Sequence, residues 1–144
     1  MQSLSSQQRR ALHLQMKDAP PPDPAVTDFL NSFYYFEALV RTIGRYYRGR
    51  HGVASKSETH ERLYRDVVAR SFRYYGISLP DSTLDLLLSS GLKKRGAKSA
   101  RNLRNGVAHT WSKDDRVEIC ARFTQLIGAL EKAFTAIDQR TKVK

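Results

Sequence analysis

Apolar side chains recur every third or fourth position through most of this chain, and nowhere do they alternate with polar ones as a half-buried strand requires. The clearest run is Ile119, Cys120, Phe123, Leu126, Ile127, Leu130, Phe134 and Ile137. Ser112 and Asp115 precede it at capping-box spacing, so one helix is predicted from Ser112 to about Gln139. A second long helix opens at Asp23, an N-cap followed by Pro24 at the first helical position, and runs to about Tyr47 with Phe29, Phe33, Phe36, Val40 and Ile43 on its apolar stripe.

The remaining pattern is shorter. Ser5 or Ser6 caps a helix to about Lys17, and Pro20, Pro21 and Pro22 then forbid helix because each lacks an amide donor and extends the residue before it. After a loop over 48–56, Ser55 and Glu58 open a helix ending at Tyr75 and Gly76, with Leu63, Val67, Ala69, Arg70 and Tyr74 marking its turns. Pro80 and Asp81 start a short helix through Leu84, Leu87 and Leu88, stopped by Gly91. A basic helix follows from about Ala97 to Val107, where Gly106 permits a bend. The predicted fold is all-α: an up-and-down helical bundle of four main helices plus one or two short helices. Residues 1–22 read as an N-terminal arm and proline linker, and residues 23–144 as the bundle.

Charge changes the picture from fold to partner. With 25 basic residues against 14 acidic ones the formal net charge is +11, so an anionic partner is expected, and RNA is the leading candidate. The single cysteine, Cys120, forms no internal disulfide and sits on an apolar stripe, which suits a reducing cytoplasm. No run approaches the ~20 apolar residues of a membrane helix, and no signal-peptide pattern is evident, so no membrane association is expected. Glu37, Glu58 and Glu61 lack a metal-ligand arrangement, and no cysteine-histidine cluster or phosphate-binding glycine loop occurs. Neither metal nor cofactor is expected.

The chemistry concentrates in Arg101-Asn-Leu-Arg104-Asn105-Gly106-Val107-Ala108-His109-Thr-Trp111. Arginine grips phosphate oxygens with a planar, permanently charged fork, and histidine titrates near neutral pH and moves protons. Residues five apart on one unbroken helix point about 140° apart, so Arg104 and His109 converge only if the helix breaks near Gly106 or a second copy supplies its own pair. The bland reading makes His109 a polar residue in a helix-helix turn and Arg104 part of a solvated basic face.

The Arg104-Asn105-x-x-x-His109 pattern resembles the R-x4-6-H motif of the HEPN superfamily, small all-helical domains that include metal-independent endoribonucleases. The resemblance implies that Arg104, His109 and Asn105 form a ribonuclease site, usually at a homodimer interface. It also implies service as a toxin or phage-defence effector, with an antitoxin or another defence-system component as a partner. Some such toxins are modified by a nucleotidyltransferase antitoxin on a tyrosine two residues after the motif histidine. Trp111 stands there and has no hydroxyl to accept that group.

Two basic clusters are candidate RNA contacts. Lys93, Lys94, Arg95, Lys98 and Arg101 lead into the motif, and Arg45, Arg48 and Arg50 sit beside Tyr46, Tyr47 and His51, rings able to stack on unpaired bases. The aromatic block from Phe33 to Phe36 faces all sides of its helix and reads as core plus dimer surface. Two alternatives to catalysis stay open: a non-catalytic helical RNA- or nucleotide-binding module, and a protein-interaction domain meeting an acidic partner.

Overall fold

The computed structural model describes residues 3–18, 23–51, 63–88 and 98–141 of the chain. These residues form seven helices and no strand, the all-α bundle that the apolar periodicity predicts. The helices are α1 (Ser6–Asp18), α2 (Pro24–His51), α3 (Arg65–Tyr75), α4 (Asp81–Leu88), α5 (Ala100–Thr110), α6 (Lys113–Ala121) and α7 (Phe123–Thr141). The proline linker, Ser55, Glu58, Gly91 and Ala97, like Lys93, Lys94 and Arg95, lie outside the described residues.

Local chemistry sets most boundaries. Ser5 and Gln8 exchange side-chain bonds with each other's amides at the start of α1. Asp23 accepts from the Ala25 amide at 2.8 Å and opens α2. Gly76 ends α3 with φ 70°, a left-handed conformation that glycine adopts without a Cβ clash. Ser99 and Asn102 form a reciprocal capping box at the head of α5, which begins three residues later than expected.

α2 is the central helix. Its Phe29, Phe33, Phe36 and Val40 are buried among Leu126, Leu130, Ala133 and Ile137 of α7, Val68 and Phe72 of α3, Leu84, Leu87 and Leu88 of α4, and Leu103 and Val107 of α5. Packing joins α2 to α3, α5, α6 and α7. The described side chains of α1 are exposed and contribute nothing to the core cluster.

Three expectations need correction. The helix predicted over Ser112–Gln139 is two helices, because Arg122 takes φ −108° and ψ 16° between α6 and α7. Its amide still reaches the Glu118 carbonyl at 2.9 Å, so the break is a one-residue kink, and the guanidinium reaches back to the Lys98 carbonyl at 2.8 Å. The helix expected from Ser55 instead begins at Arg65, after an extended Tyr64. Its buried face is Val68, Ser71 and Phe72, with Tyr74 46% exposed, so the face is rotated from the one expected. Val68 and Phe72 turn inward because they pack into the shared core, and the Arg65 guanidinium, which bonds Asp85 and pairs with Asp81 at 3.3 Å, ties the start of α3 to α4.

Candidate functional site

The site residues sit on α5, whose two flanks are built differently. Ala100, Leu103 and Val107 face the core with no exposed surface to speak of. On a 3.6-residue helix Arg104 then lies on one shoulder of the core face and Gly106 on the other, while Arg101, Asn105 and His109, four residues apart, share one outward stripe.

Arg104 is held across the fold. One guanidinium nitrogen donates to a Glu37 carboxylate oxygen at 3.2 Å, and the other donates to Asn105 Oδ1 at 3.0 Å. Glu37 is 7% exposed, and its second oxygen accepts from Arg41 one turn along α2 at 3.3 Å. A carboxylate this deep requires ion-pair and hydrogen-bond partners, because a buried unpaired charge is costly. Glu37 therefore fixes two arginines with one buried anion, and Arg104 in turn orients Asn105. Sequence reasoning set Glu37 aside because it lacks metal-ligand spacing; the signal it carried was its place on the inner side of α2 four residues before Arg41.

The other shoulder explains Gly106. α5 runs through this residue without a break, so the bend that Gly106 permits is not taken. A Cβ on Gly106 would lie 1.7 Å from an Asp115 carboxylate oxygen. The glycine is needed because α6 brings a buried acid against the backbone of α5. Asp115 is 4% exposed, its amide donates to the Ser112 hydroxyl at 3.2 Å, and its carboxylate accepts from the Lys98 ammonium at 2.6 Å. That bond pushes the Lys98 pKa up. Lys98 thus closes the α5–α6 corner, whatever it also does toward a ligand.

His109 differs from Arg104 in every respect. It is exposed, and its ring makes no hydrogen bond or ion pair among the described residues. Two residues on, Trp111 caps α5 with φ 51°, the left-handed position that glycine usually fills at a helix end. The conformation costs about 1–2 kcal/mol. It is offset by amide bonds from Trp111 to Val107 and from Ser112 to Gly106, and by the Arg116 guanidinium 4.7 Å over the indole.

Among the other candidate contacts, Arg101 lies over the Tyr64 ring at 5.4 Å. Arg45 and Arg48 follow Arg41 along the same side of α2, and Arg50 sits at its end beside Tyr74. Cys120 is half-buried against the core, and burial with an Asp23 hydrogen bond pushes its thiol pKa up, away from reactivity. Tyr34 and Tyr35 point outward at 68% and 58% exposure, while Phe33 and Phe36 fill the core. Among the described residues no group of three His, Cys, Asp or Glu is placed to hold a metal ion, and no helix is long and apolar enough to cross a membrane. Set beside known proteins, this chain matches no family model, no curated protein and no solved structure.

Proposed function

We propose that this chain is a metal-independent endoribonuclease of HEPN type, serving as a toxin or a phage-defence or stress effector. The observation that carries the reading is the Arg104 fork, oriented by buried Glu37 and bonded to Asn105, on the same helix as an uncommitted His109. An arginine fixed before substrate arrives stabilises developing phosphorane charge without reorganising. His109, free in water, is available to move a proton.

In the reaction, His109 takes the proton from a ribose 2′-hydroxyl as that oxygen attacks the adjacent phosphorus. The P–O5′ bond breaks, leaving a 2′,3′-cyclic phosphate and a 5′-hydroxyl whose oxygen takes the proton back from His109. Arg104 balances the extra negative charge between these events. The unbroken course of α5 through Gly106 keeps Arg104 and His109 about 140° apart around one helix, which favours a homodimer in which one copy's Arg104 works with its partner's histidine. Outward Tyr34 and Tyr35 are apolar surface that a second protomer would cover.

A second reading has an observation of its own. Because Arg104 closes an ion pair with buried Glu37, it has a structural role even in a helical RNA-binding module or a protein-interaction domain. Incubation of wild-type and His109→Ala protein with labelled single-stranded RNA and tRNA in EDTA separates the two. Fragments ending in 2′,3′-cyclic phosphate from wild type alone support catalysis; salt-sensitive binding with RNA intact in both supports the module.

A further inference from the structure

At the C-terminal end of α2, rings gather outside the core. Tyr47 stacks on His51 with centroids 4.6 Å apart and 30° between the planes. Tyr74 of α3 stands edge-on to both, at 5.6 Å from Tyr47 and 4.3 Å from His51. Tyr75 meets Tyr74 at 5.0 Å and leans on the core, but the other three rings are not part of it. Tyr74 keeps 46% of its surface in water, and His51 is exposed. Contacts among the rings hold them in one arrangement while leaving faces and edges open to solvent.

The surroundings are cationic. Residues 41–51 and 67–76 contain no aspartate or glutamate but carry Arg41, Arg45, Arg48, Arg50, Arg70 and Arg73. A hydrogen bond to Tyr74 pushes the Arg50 pKa further up. Arg140 of α7 donates its Nε to the Tyr75 carbonyl at 2.9 Å, bringing another cation to the same corner.

We propose that the His51, Tyr47 and Tyr74 cluster is a stacking platform for an unpaired base of single-stranded RNA, with the surrounding arginines holding its phosphates. The proposal rests on the reading that this chain acts on RNA, and it adds a contact separate from Arg104, Asn105 and His109. Fourteen residues of α2 separate Glu37 from His51, a span of about 20 Å, and Arg41, Arg45 and Arg48 lie along it. A strand laid on this track would be gripped at its scissile phosphate and again at a base several nucleotides away. Single strands are favoured because duplex bases stack on one another and present no free face. An acidic peptide or a lipid headgroup would satisfy the arginines and leave the rings without a planar partner.

The test is fluorescence anisotropy with a short 2′-O-methyl oligouridine, which 2′-hydroxyl attack cannot cleave, against the same strand bearing abasic spacers. Wild type should prefer the base-bearing strand by about 5- to 100-fold, the worth of one stacked base. Tyr74→Leu should bring the ratio toward one, Tyr74→Phe should keep it, and Val117→Ala, an exposed apolar residue of α6 outside the cluster, should not change it. Equal affinity of wild type for both strands, no binding to either, or a preference that survives Tyr74→Leu would each overturn the platform. A 2-aminopurine base in the strand should lose fluorescence on binding wild type, a readout that needs no variant to fold. The catalytic reading fails on a different result: ribo-strand cleavage that is insensitive to His109→Ala sinks it and leaves the affinity ratio as it was.

Discussion

The two halves of the Arg104–His109 motif, five residues apart, live in opposite physical environments. Arg104 is tied to a buried carboxylate on another helix, to Asn105 and through Glu37 to Arg41. His109 projects into water, and its ring has no hydrogen bond or ion pair among the described residues. The contrast teaches that one end of the candidate site is fixed by folding, whereas folding leaves the other in water. It also means that the same alanine scan measures different things at the two positions.

Cleavage should break the comparison least and stability most. His109→Ala should lose about 10²- to 10⁴-fold in cleavage rate, the usual worth of general acid-base help, while its melting temperature stays with wild type. Arg104→Ala should lose cleavage too, but should also cost about 1–3 kcal/mol of stability, because Glu37 is left buried with one partner fewer. Chemical denaturation of both variants checks this, and equal stability would mean that the Glu37 pair contributes nothing.

The next effect concerns the other shoulder of α5. Gly106→Ala should destabilise by about 1–3 kcal/mol, since its methyl would displace an Asp115 carboxylate held by Lys98. Gly128→Ala on α7, where nothing lies within 4 Å of the added atom, should stabilise by about 0.4–1 kcal/mol. A common sign for the two in thermal melts would remove the packing argument.

The smallest effect is in alkaline solution. The Lys98 pKa is raised in the folded state by its bond to Asp115, so its contribution is fully present below the usual lysine value of about 10.4. It is lost as pH rises through the higher folded value. The stability gap between wild type and Lys98→Met should therefore be constant near neutrality and narrow above about pH 10.4; a gap that widens there would refute the assignment.

The sequence disclosed this contrast unevenly. Asp23 with Pro24, Ser112 and Gly76 are local signals whose partners lie within a few residues, and each ends or opens a helix where its chemistry says it should. Apolar periodicity located α2 and the heart of α7 for the same reason. The α3 face was misjudged because Val68 and Phe72 are buried by residues of other helices, which no window on α3 contains. Glu37 and Arg104 stand 67 residues apart, so nothing local announces their pair. Gly106 advertised freedom to bend, yet what the fold uses is its missing Cβ, a need created by Asp115 from the next helix. Trp111 in a glycine-like conformation is likewise a tertiary choice that propensity opposes. That Arg104 is held across the fold and His109 left exposed was not legible from their spacing.

The account turns on a site completed between two copies, and mixing the two inactive variants tests it most directly. Arg104→Ala and His109→Ala proteins should each leave labelled RNA intact in EDTA, while an equimolar mixture, allowed to exchange subunits, should recover about a quarter of wild-type cleavage, because half the dimers then carry one intact Arg104–His109 pair. A mixture as inactive as its components, beside a wild type that cleaves, would contradict the shared site.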